Sequence, residues 1–106
     1  MKFLKSFNES HRDKNIQAIC KKYGIRNYTI NEDGSIDVEG GVYIGFKDLT
    51  KIPLKFRNVT GDFYCTYNQL TSLEGCPKSV SDTFDCENNH LTSLEGCPKS
   101  VGGNFG

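Results

Sequence analysis

Residues 62–80 read DFYCTYNQLTSLEGCPKSV, and residues 83–101 read TFDCENNHLTSLEGCPKSV. The second stretch repeats the first at a fixed offset of 21 residues. A fixed period of this length is typical of a solenoid, in which each turn of chain covers the apolar side of the previous one. Such proteins usually present a regular array of side chains to a partner, so the repeat favours a binding function over catalysis.

Residues 40–60 form a weaker copy of the same unit. The aligned pairs, again 21 residues apart, are Val42/Phe63, Ile44/Cys65, Leu49/Leu70, Thr50/Thr71, Ile52/Leu73 and Val59/Val80. Lys47 stands at the position of Asn68, so we expect this copy to lack the amide of the clear units. We therefore divide the chain into an N-terminal cap, residues 1–39, and a repeat region, residues 40–106.

Both clear units share the pattern Phe-x-Cys-x-x-Asn-x-Leu-Thr-Ser-Leu, which begins at Phe63 in one unit and at Phe84 in the next. This pattern resembles the leucine-rich-repeat consensus, in which a strand is followed by Asn and then Leu. Over residues 40–106 the chain is similar to short Gly-Cys-Pro-rich repeat proteins of bacteria and their large phages. The resemblance implies a solenoid and a protein-binding habit, without a defined enzymatic activity.

Alternation along each strand decides which side chains face the core. Phe63 and Cys65 are expected to point inward, with Tyr64 on the outer face. The amide of Asn68 can then turn inward and bond backbone groups where the chain leaves the strand. Pro77 favours an extended return path over a helix. The fold class that we predict is α/β and mostly β, a parallel-stranded leucine-rich-repeat solenoid with its parallel sheet on one side and an N-terminal helix and β-hairpin cap.

The cap begins with a predicted helix over residues 9–23. Its apolar face, at helical spacing, consists of Ile16, Ile19, Cys20 and Tyr23. Asn8 or Ser10 can cap its start, and Gly24 suits the left-handed residue that follows its end. Three apolar residues before the helix are expected to pack as a separate helical turn; they are Phe3, Leu4 and Phe7.

A β-hairpin is predicted after the helix. The β-prone runs at 28–30 and 35–38 are joined by a segment that contains Asp33-Gly34, a dipeptide suited to a turn with positive φ. We expect the helix and hairpin together to cover the first repeat unit, since the end unit would otherwise expose its core.

The outward strand positions predict the binding surface. They are expected to form an aromatic strip beside an acidic pair, a composition common in protein-binding patches. The candidate binding residues are Tyr43, Phe46, Tyr64, Thr66, Tyr67, Asp85 and Glu87. An alternative is that one or more of these aromatic residues packs against the cap, particularly Tyr43 and Phe46, which lie next to the hairpin. We expect the partner to be a protein, which the chain engages as an adaptor or an inhibitor.

Charge is separated along a chain whose total is balanced. The 13 basic and 13 acidic residues cancel, which argues against bulk attraction to nucleic acid or membrane. Residues 1–30 nevertheless carry seven Lys or Arg against two Asp or Glu, and residues 31–106 carry six against eleven. The basic head leaves one alternative open, a nucleic-acid-associated protein that contacts phosphates. Its basic residues are Lys2, Lys5, Arg12, Lys14, Lys21, Lys22 and Arg26.

No pattern typical of catalysis occurs in the sequence. His11 and His90 lie in different parts of the chain, and there is no G-x-S-x-G, H-E-x-x-H or phosphate-loop motif. We therefore expect no catalytic residue, no metal site and no cofactor. The chain also lacks an apolar run of the ~18 residues that a membrane span needs and lacks a signal peptide's apolar stretch, which favours a cytoplasmic protein.

The cysteines follow the repeat. Four of the five recur at two repeat positions, as Cys65, Cys76, Cys86 and Cys97. Their spacing differs from the C-x-x-C of zinc and redox motifs. Free cysteine packs as a small apolar side chain, so we expect these residues to fill the core. Zinc binding and disulfide formation are the alternatives.

The last clear unit is followed by residues 103–106, which form the start of another unit. This end has no polar cap, and its last strand edge is expected to be open. Three explanations compete: a truncated piece of a longer array, self-association through the uncapped C-terminal end, and docking on another protein. Truncation is favoured because the sequence stops within a unit.

Overall fold

The computed structural model describes the backbone of residues 2–106 and the side chains of residues 11–106. Over this range the chain forms one helix, α1 (Lys2–Lys22), followed by eight short strands. The strands are β1 (Tyr28–Ile30), β2 (Ile36–Val38), β3 (Val42–Tyr43), β4 (Phe56–Val59), β5 (Phe63–Tyr64), β6 (Ser79–Val80), β7 (Phe84–Asp85) and β8 (Ser100–Val101). They form a five-stranded sheet, in the order β1-β2-β4-β6-β8, and a three-stranded sheet, in the order β3-β5-β7.

Neighbouring strands run parallel except in the antiparallel pair β1 and β2. Over the described residues this confirms an α/β fold with one helix and mostly parallel strands. A second sheet of mostly parallel strands, which the sequence did not indicate, is also present, because the return segments form strands as well. Lys78 N–H donates to Arg57 O (2.8 Å), and Lys99 N–H donates to Lys78 O (2.9 Å). The extended chain that follows each proline is therefore paired with its neighbour.

Both sheets keep the offset of the sequence repeat. In the three-stranded sheet Val42 pairs with Phe63, and Phe63 pairs with Phe84. In the five-stranded sheet Val59 pairs with Val80. The predicted alignment of the degenerate unit is therefore confirmed at both of its strands. Equivalent side chains meet across units, as where the rings of Phe63 and Phe84 stack with centroids 5.8 Å apart.

The predicted inward positions form the core. Phe63, Cys65, Leu70 and Leu73 each have 0% of their surface exposed. Complete burial of a large apolar side chain stabilises the fold by ~1.5–3 kcal/mol. Leu94, one unit after Leu73, is 53% exposed, since no further unit lies over it within the described chain.

The side-chain amide of Asn68 joins two consecutive units. Its Oδ1 accepts the N–H groups of Lys47 (2.9 Å) and Leu49 (3.0 Å). Its Nδ2 donates to the carbonyl groups of Ile44 (2.9 Å) and Cys65 (3.1 Å). The side chain is only 6% exposed. The prediction that this amide turns inward onto backbone groups is confirmed.

Asn89 repeats this arrangement one unit later. Its Oδ1 accepts the N–H group of Leu70 (3.0 Å), and its Nδ2 donates to the carbonyl groups of Cys65 (2.9 Å) and Cys86 (3.0 Å). Asn89 is only half-buried. Each amide therefore binds its own unit and the unit before it, which makes the contact between units specific as well as apolar.

The helix is longer than predicted. It begins at Lys2 rather than near residue 9, so Asn8 and Ser10 lie inside it and do not cap its start. Residues 2–8 contain no Gly or Pro that would interrupt a helix. The predicted separate turn is also wrong, because its residues belong to α1, and their packing lies outside the described side chains; they are Phe3, Leu4 and Phe7.

The C-terminal end of α1 follows the prediction. Gly24 has φ +70°, the left-handed conformation that glycine adopts without strain. Ile25 N–H donates to Cys20 O (2.8 Å), which closes the helix end in a Schellman arrangement. Ile16, Cys20 and Ile25 are buried in the same core as the strands. The predicted apolar face of the helix is therefore confirmed.

The hairpin of β1 and β2 also forms as predicted, and Arg12 fastens the helix to it. Within the turn, the Asp33 carboxylate accepts the N–H (3.0 Å) and the hydroxyl (2.6 Å) of Ser35. The Arg12 guanidinium donates to Glu32 O (2.8 Å). Because β2 pairs in parallel with β4, the hairpin extends the five-stranded sheet and adds no strand to the three-stranded sheet.

We predict that Asn68→Ala lowers the free energy of unfolding by about 3 kcal/mol, because it leaves buried backbone groups of two units without partners. The exposed neighbour Gln69 provides a matched control, and Gln69→Ala should change stability by less than about 0.5 kcal/mol. Urea denaturation followed by circular dichroism measures both values. Equal losses in the two variants would contradict the role given to the amide.

Candidate functional site

The outer side of the three-stranded sheet, together with the turn after each strand, carries the predicted binding residues. We call this surface the strand face. Its residues form three rows across the units: Tyr43, Tyr64 and Asp85; Gly45, Thr66 and Glu87; Phe46, Tyr67 and Asn88. All seven predicted binding residues therefore lie on one surface.

The first row begins with two tyrosines in edge-to-face contact. The ring centroids of Tyr43 and Tyr64 are 5.4 Å apart, with an interplanar angle of 77°. The Tyr43 hydroxyl donates to Asp62 Oδ2 (3.3 Å). Partial desolvation, followed by the adjacent Asp62 carboxylate, raises the pKa of Tyr43. A Cβ at Gly41 would lie 2.5 Å from the Tyr43 hydroxyl, so a side chain there would displace the ring from this position.

The third row begins with a stacked and exposed aromatic pair. The rings of Phe46 and Tyr67 have centroids 4.5 Å apart and an interplanar angle of 11°. Phe46 is 73% exposed and Tyr67 is 52% exposed. The two rings therefore bury surface against each other and present most of the remainder to solvent.

The backbone of this row adopts the left-handed conformation. The φ angles are +58° at Phe46, +56° at Tyr67 and +60° at Asn88. Asparagine visits this conformation readily, whereas a bulkier residue is strained there by ~1–2 kcal/mol. The left-handed conformation of this row was not predicted from the sequence. Asn88 was the available signal, because asparagine adopts that conformation readily. Since exposed rings at such positions add little to the core, fold stability does not account for them.

Three carboxylates also lie on or beside the strand face. Asp62 Oδ1 accepts the N–H of Thr83 (3.0 Å), and Asp85 Oδ1 accepts the N–H of Glu87 (3.0 Å). Glu87 is exposed. Within the described side chains, none of these three acidic groups forms a salt bridge.

The alternative that the aromatic residues pack against the hairpin is wrong. Tyr43 is 57% exposed and Phe46 is 73% exposed. The hairpin joins the five-stranded sheet. Tyr43, by contrast, lies on β3 of the three-stranded sheet, and Phe46 lies in the turn that follows β3. Among the described side chains, Tyr43 and Phe46 are therefore left open to solvent.

Two acidic groups of the β1–β2 hairpin, in contrast, are paired with cations. Arg57 donates through Nε (3.0 Å) and Nη2 to the two carboxylate oxygens of Asp37. Lys55 Nζ lies 3.3 Å from Asp33 Oδ2. The hydrogen bonds from Arg57 hold the pKa of Asp37 below its usual value. Hydrogen bonds from Ser35, followed by the contact with Lys55, lower the pKa of Asp33.

We predict that Asp37→Asn destabilises the protein at neutral pH and that its difference from the parent disappears on acidification. The folded state lowers the pKa of Asp37, so the pairing contributes above the unfolded value of about 3.9 and is lost as pH falls through the folded value. Denaturation at a series of pH values from about 7 to 2 measures this, with exposed Glu39→Gln as the control. A difference that stays constant with pH would contradict the assignment.

All five cysteines are free thiols. Cys20, Cys65, Cys76 and Cys86 are buried, and Cys97 is half-buried. Burial, followed by the nearby Cys65, raises the pKa of Cys86 to about 11. The hydrogen bond with Cys65, followed by burial, raises the pKa of Cys76. Among the described residues no cluster of three or more His, Cys, Asp or Glu side chains has the geometry of a metal site.

We predict that Cys97 reacts first with iodoacetamide under native conditions, because the reactive species is an accessible thiolate and the other thiols are buried. Peptide mapping by mass spectrometry after brief labelling at about pH 8 identifies the modified residue. Cys97→Ser should abolish the fast phase, and urea should expose the remaining thiols. Labelling of Cys86 at the rate of Cys97 would contradict the burial.

Two grooves lie away from the strand face. The larger, about 650 Å³, is lined by apolar and charged side chains that include Leu54, Lys55 and Lys78. The smaller, about 560 Å³, is lined by β1, β2, β4 and adjacent residues. Neither contains any of the seven predicted binding residues. Sequence reasoning missed both, because each forms where segments distant in the chain meet.

The two histidines lie far apart in the chain. His11 and His90 are both exposed, on α1 and in the turn after β7. The exposed position expected for His90 is therefore confirmed. Within residues 2–106 no helix has the length and apolar character required to cross a membrane.

Comparison of the chain with protein-family models, curated proteins and solved structures finds no match.

Proposed function

We propose that the chain is a leucine-rich-repeat solenoid that acts in the cytoplasm as a non-catalytic protein-binding module, an adaptor or an inhibitor. Its partner is a protein, and the contact surface is the strand face. The observation that carries the proposal is the stacked pair of Phe46 and Tyr67, held outward in a strained backbone conformation. Strained residues concentrate at functional sites, and exposed aromatic anchors dominate the energetics of protein interfaces.

The rigidity of the strand face supports this function. Phe63 and Cys65, the chain neighbours of Tyr64, are fully buried, and Asn68, which follows Tyr67, is buried as well. A surface fixed in this way loses little conformational entropy when a partner binds, so more of the contact energy appears as affinity.

The pairing of the repeat units supports the solenoid assignment. Each unit contributes one strand to each sheet at the same offset, and the Asn of the leucine-rich pattern binds the backbone of the preceding unit. This is the behaviour expected of repeats that contact only their nearest neighbours.

The nucleic-acid alternative receives less support. Arg12 of the basic head donates to the carbonyl groups of Glu32 (2.8 Å) and Asn31 (3.4 Å), so its guanidinium is engaged within the protein. The exposed aromatic surface carries carboxylates, which repel phosphate. A nucleic-acid interface would require the opposite charge.

We predict that Tyr64→Ala and Tyr67→Asn each weaken retention of a protein partner by tenfold or more, about the effect of removing an interface hot spot. Asn is chosen at 67 because Asn88 occupies the equivalent place with a similar φ, so that the variant removes the ring without adding backbone strain. Affinity purification from lysate with quantitative mass spectrometry compares them with the parent. Exposed Asn58→Ala, on the five-stranded sheet, is the control.

A partner set retained equally by the parent, Asn58→Ala and both tyrosine variants would overturn the assignment of the strand face. Circular dichroism of each variant verifies that the fold is intact before the comparison is made.

A further inference from the structure

The row of Phe46, Tyr67 and Asn88 contains a position where a stack of rings ends. Phe46 and Tyr67 stack in nearly parallel planes at 4.5 Å, close to the strand spacing of ~4.8 Å. The face of Tyr67 that is turned away from Phe46 is therefore directed toward the next unit. That unit presents Asn88, a small and exposed side chain, where a third ring would continue the stack.

A negative charge lies beside the open end of this stack. Glu87 directly precedes Asn88 and is exposed, and Asp85 lies two residues earlier on the same face. Neither forms a salt bridge among the described side chains, although Asp33 and Asp37 of the β1–β2 hairpin both do. Lys47 is the basic residue of these turns, and it follows Phe46 at the opposite end of the row from Glu87.

From this arrangement, and resting on the proposed function, we infer that the strand face binds an extended segment of its protein partner through an arginine side chain. The guanidinium stacks on the open face of Tyr67, above Asn88, and donates to the carboxylate of Glu87. A planar guanidinium satisfies both contacts, because it stacks on aromatic rings and matches a carboxylate with two parallel donors. The ammonium group of lysine supplies only the positive charge.

The dimensions of the strand face suit a short segment of extended chain. The three units of a row span ~10 Å at the strand spacing, whereas an extended peptide advances ~3.3 Å per residue. About six residues are therefore sufficient to cover the row with a margin at each end. Successive side chains alternate in direction, so every second residue of the segment faces the protein.

The test uses three fluorescein-labelled peptides of about six residues, in which serine alternates with arginine, lysine or glutamate. Fluorescence anisotropy at two salt concentrations measures their binding to the full chain. We expect the arginine peptide to bind at least about fivefold more tightly than the lysine peptide and the glutamate peptide not to bind. Tyr67→Asn and Glu87→Gln should each weaken the arginine peptide by about tenfold.

Glu74→Gln is the matched control, since it removes one exposed acidic group away from the strand face and should leave the affinity unchanged. Equal affinities for the arginine and lysine peptides, or an affinity unaffected by Tyr67→Asn, would overturn the inference. Light scattering tests whether a second copy of the chain docks its basic helix on this surface. A molecular mass that rises with protein concentration, and that returns to the monomer value in Glu87→Gln, would overturn the inference in favour of that second copy.

The outcome also separates this inference from the proposed function. If retention of the protein partner depends on Tyr67 while the arginine peptide fails to bind or to compete, the inference fails and the proposed function stands. If neither the partner nor the peptide depends on Tyr67, both fail. Displacement of the partner by the arginine peptide, and not by the lysine peptide, supports both.

Discussion

The structure depends on an amide that satisfies the backbone of two units at once. Asn68 supplies the acceptor for two N–H groups of the preceding turn and the donor for carbonyl groups in both units. Apolar burial alone would allow neighbouring units to slide, because it has no direction. The amide fixes a single register, since a shift of one residue would leave these buried groups unpaired.

The same amides determine how the surface is displayed. Asn68 binds the N–H of Lys47, the residue that follows Phe46, and Asn89 binds the N–H of Leu70 in the turn of Tyr67. Each turn is therefore held by the unit after it. The left-handed conformation of both aromatic residues is sustained in this way, and the strain is balanced by hydrogen bonds that the isolated turn lacks.

Much of the repeat region could be predicted from the sequence, because residue identity recurs at a constant offset. The inward direction of Phe63 and the bonding of Asn68 followed from alternation and from the chemistry of a buried amide. The second sheet could not be predicted, because Ser79 and Val80 give a strand too short to show a period. The predicted start of α1 was wrong because Asn8 and Ser10 are residue types that often cap a helix. The residues before them are also compatible with a helix, so α1 begins earlier.

The candidate surface shows a similar division. The positions of Tyr43 and Tyr64 on the outer side followed from strand alternation, whereas the stack of Phe46 on Tyr67 depends on a backbone angle that aromatic residues rarely adopt. The pairing of Asp37 with Arg57, and the absence of such pairing at Glu87 among the described residues, is a three-dimensional property. Sequence alone shows only that both regions are acidic.

The equal offset in the two sheets also decides which changes of length the protein can accept. Inserting one residue between β5 and β6 moves one sheet relative to the other, whereas duplicating residues 61–81 adds a strand to each sheet and restores every pairing. Tandem duplication is therefore a natural route by which such a gene can lengthen its product. Each copy would widen the strand face by one unit while leaving the existing contacts in place.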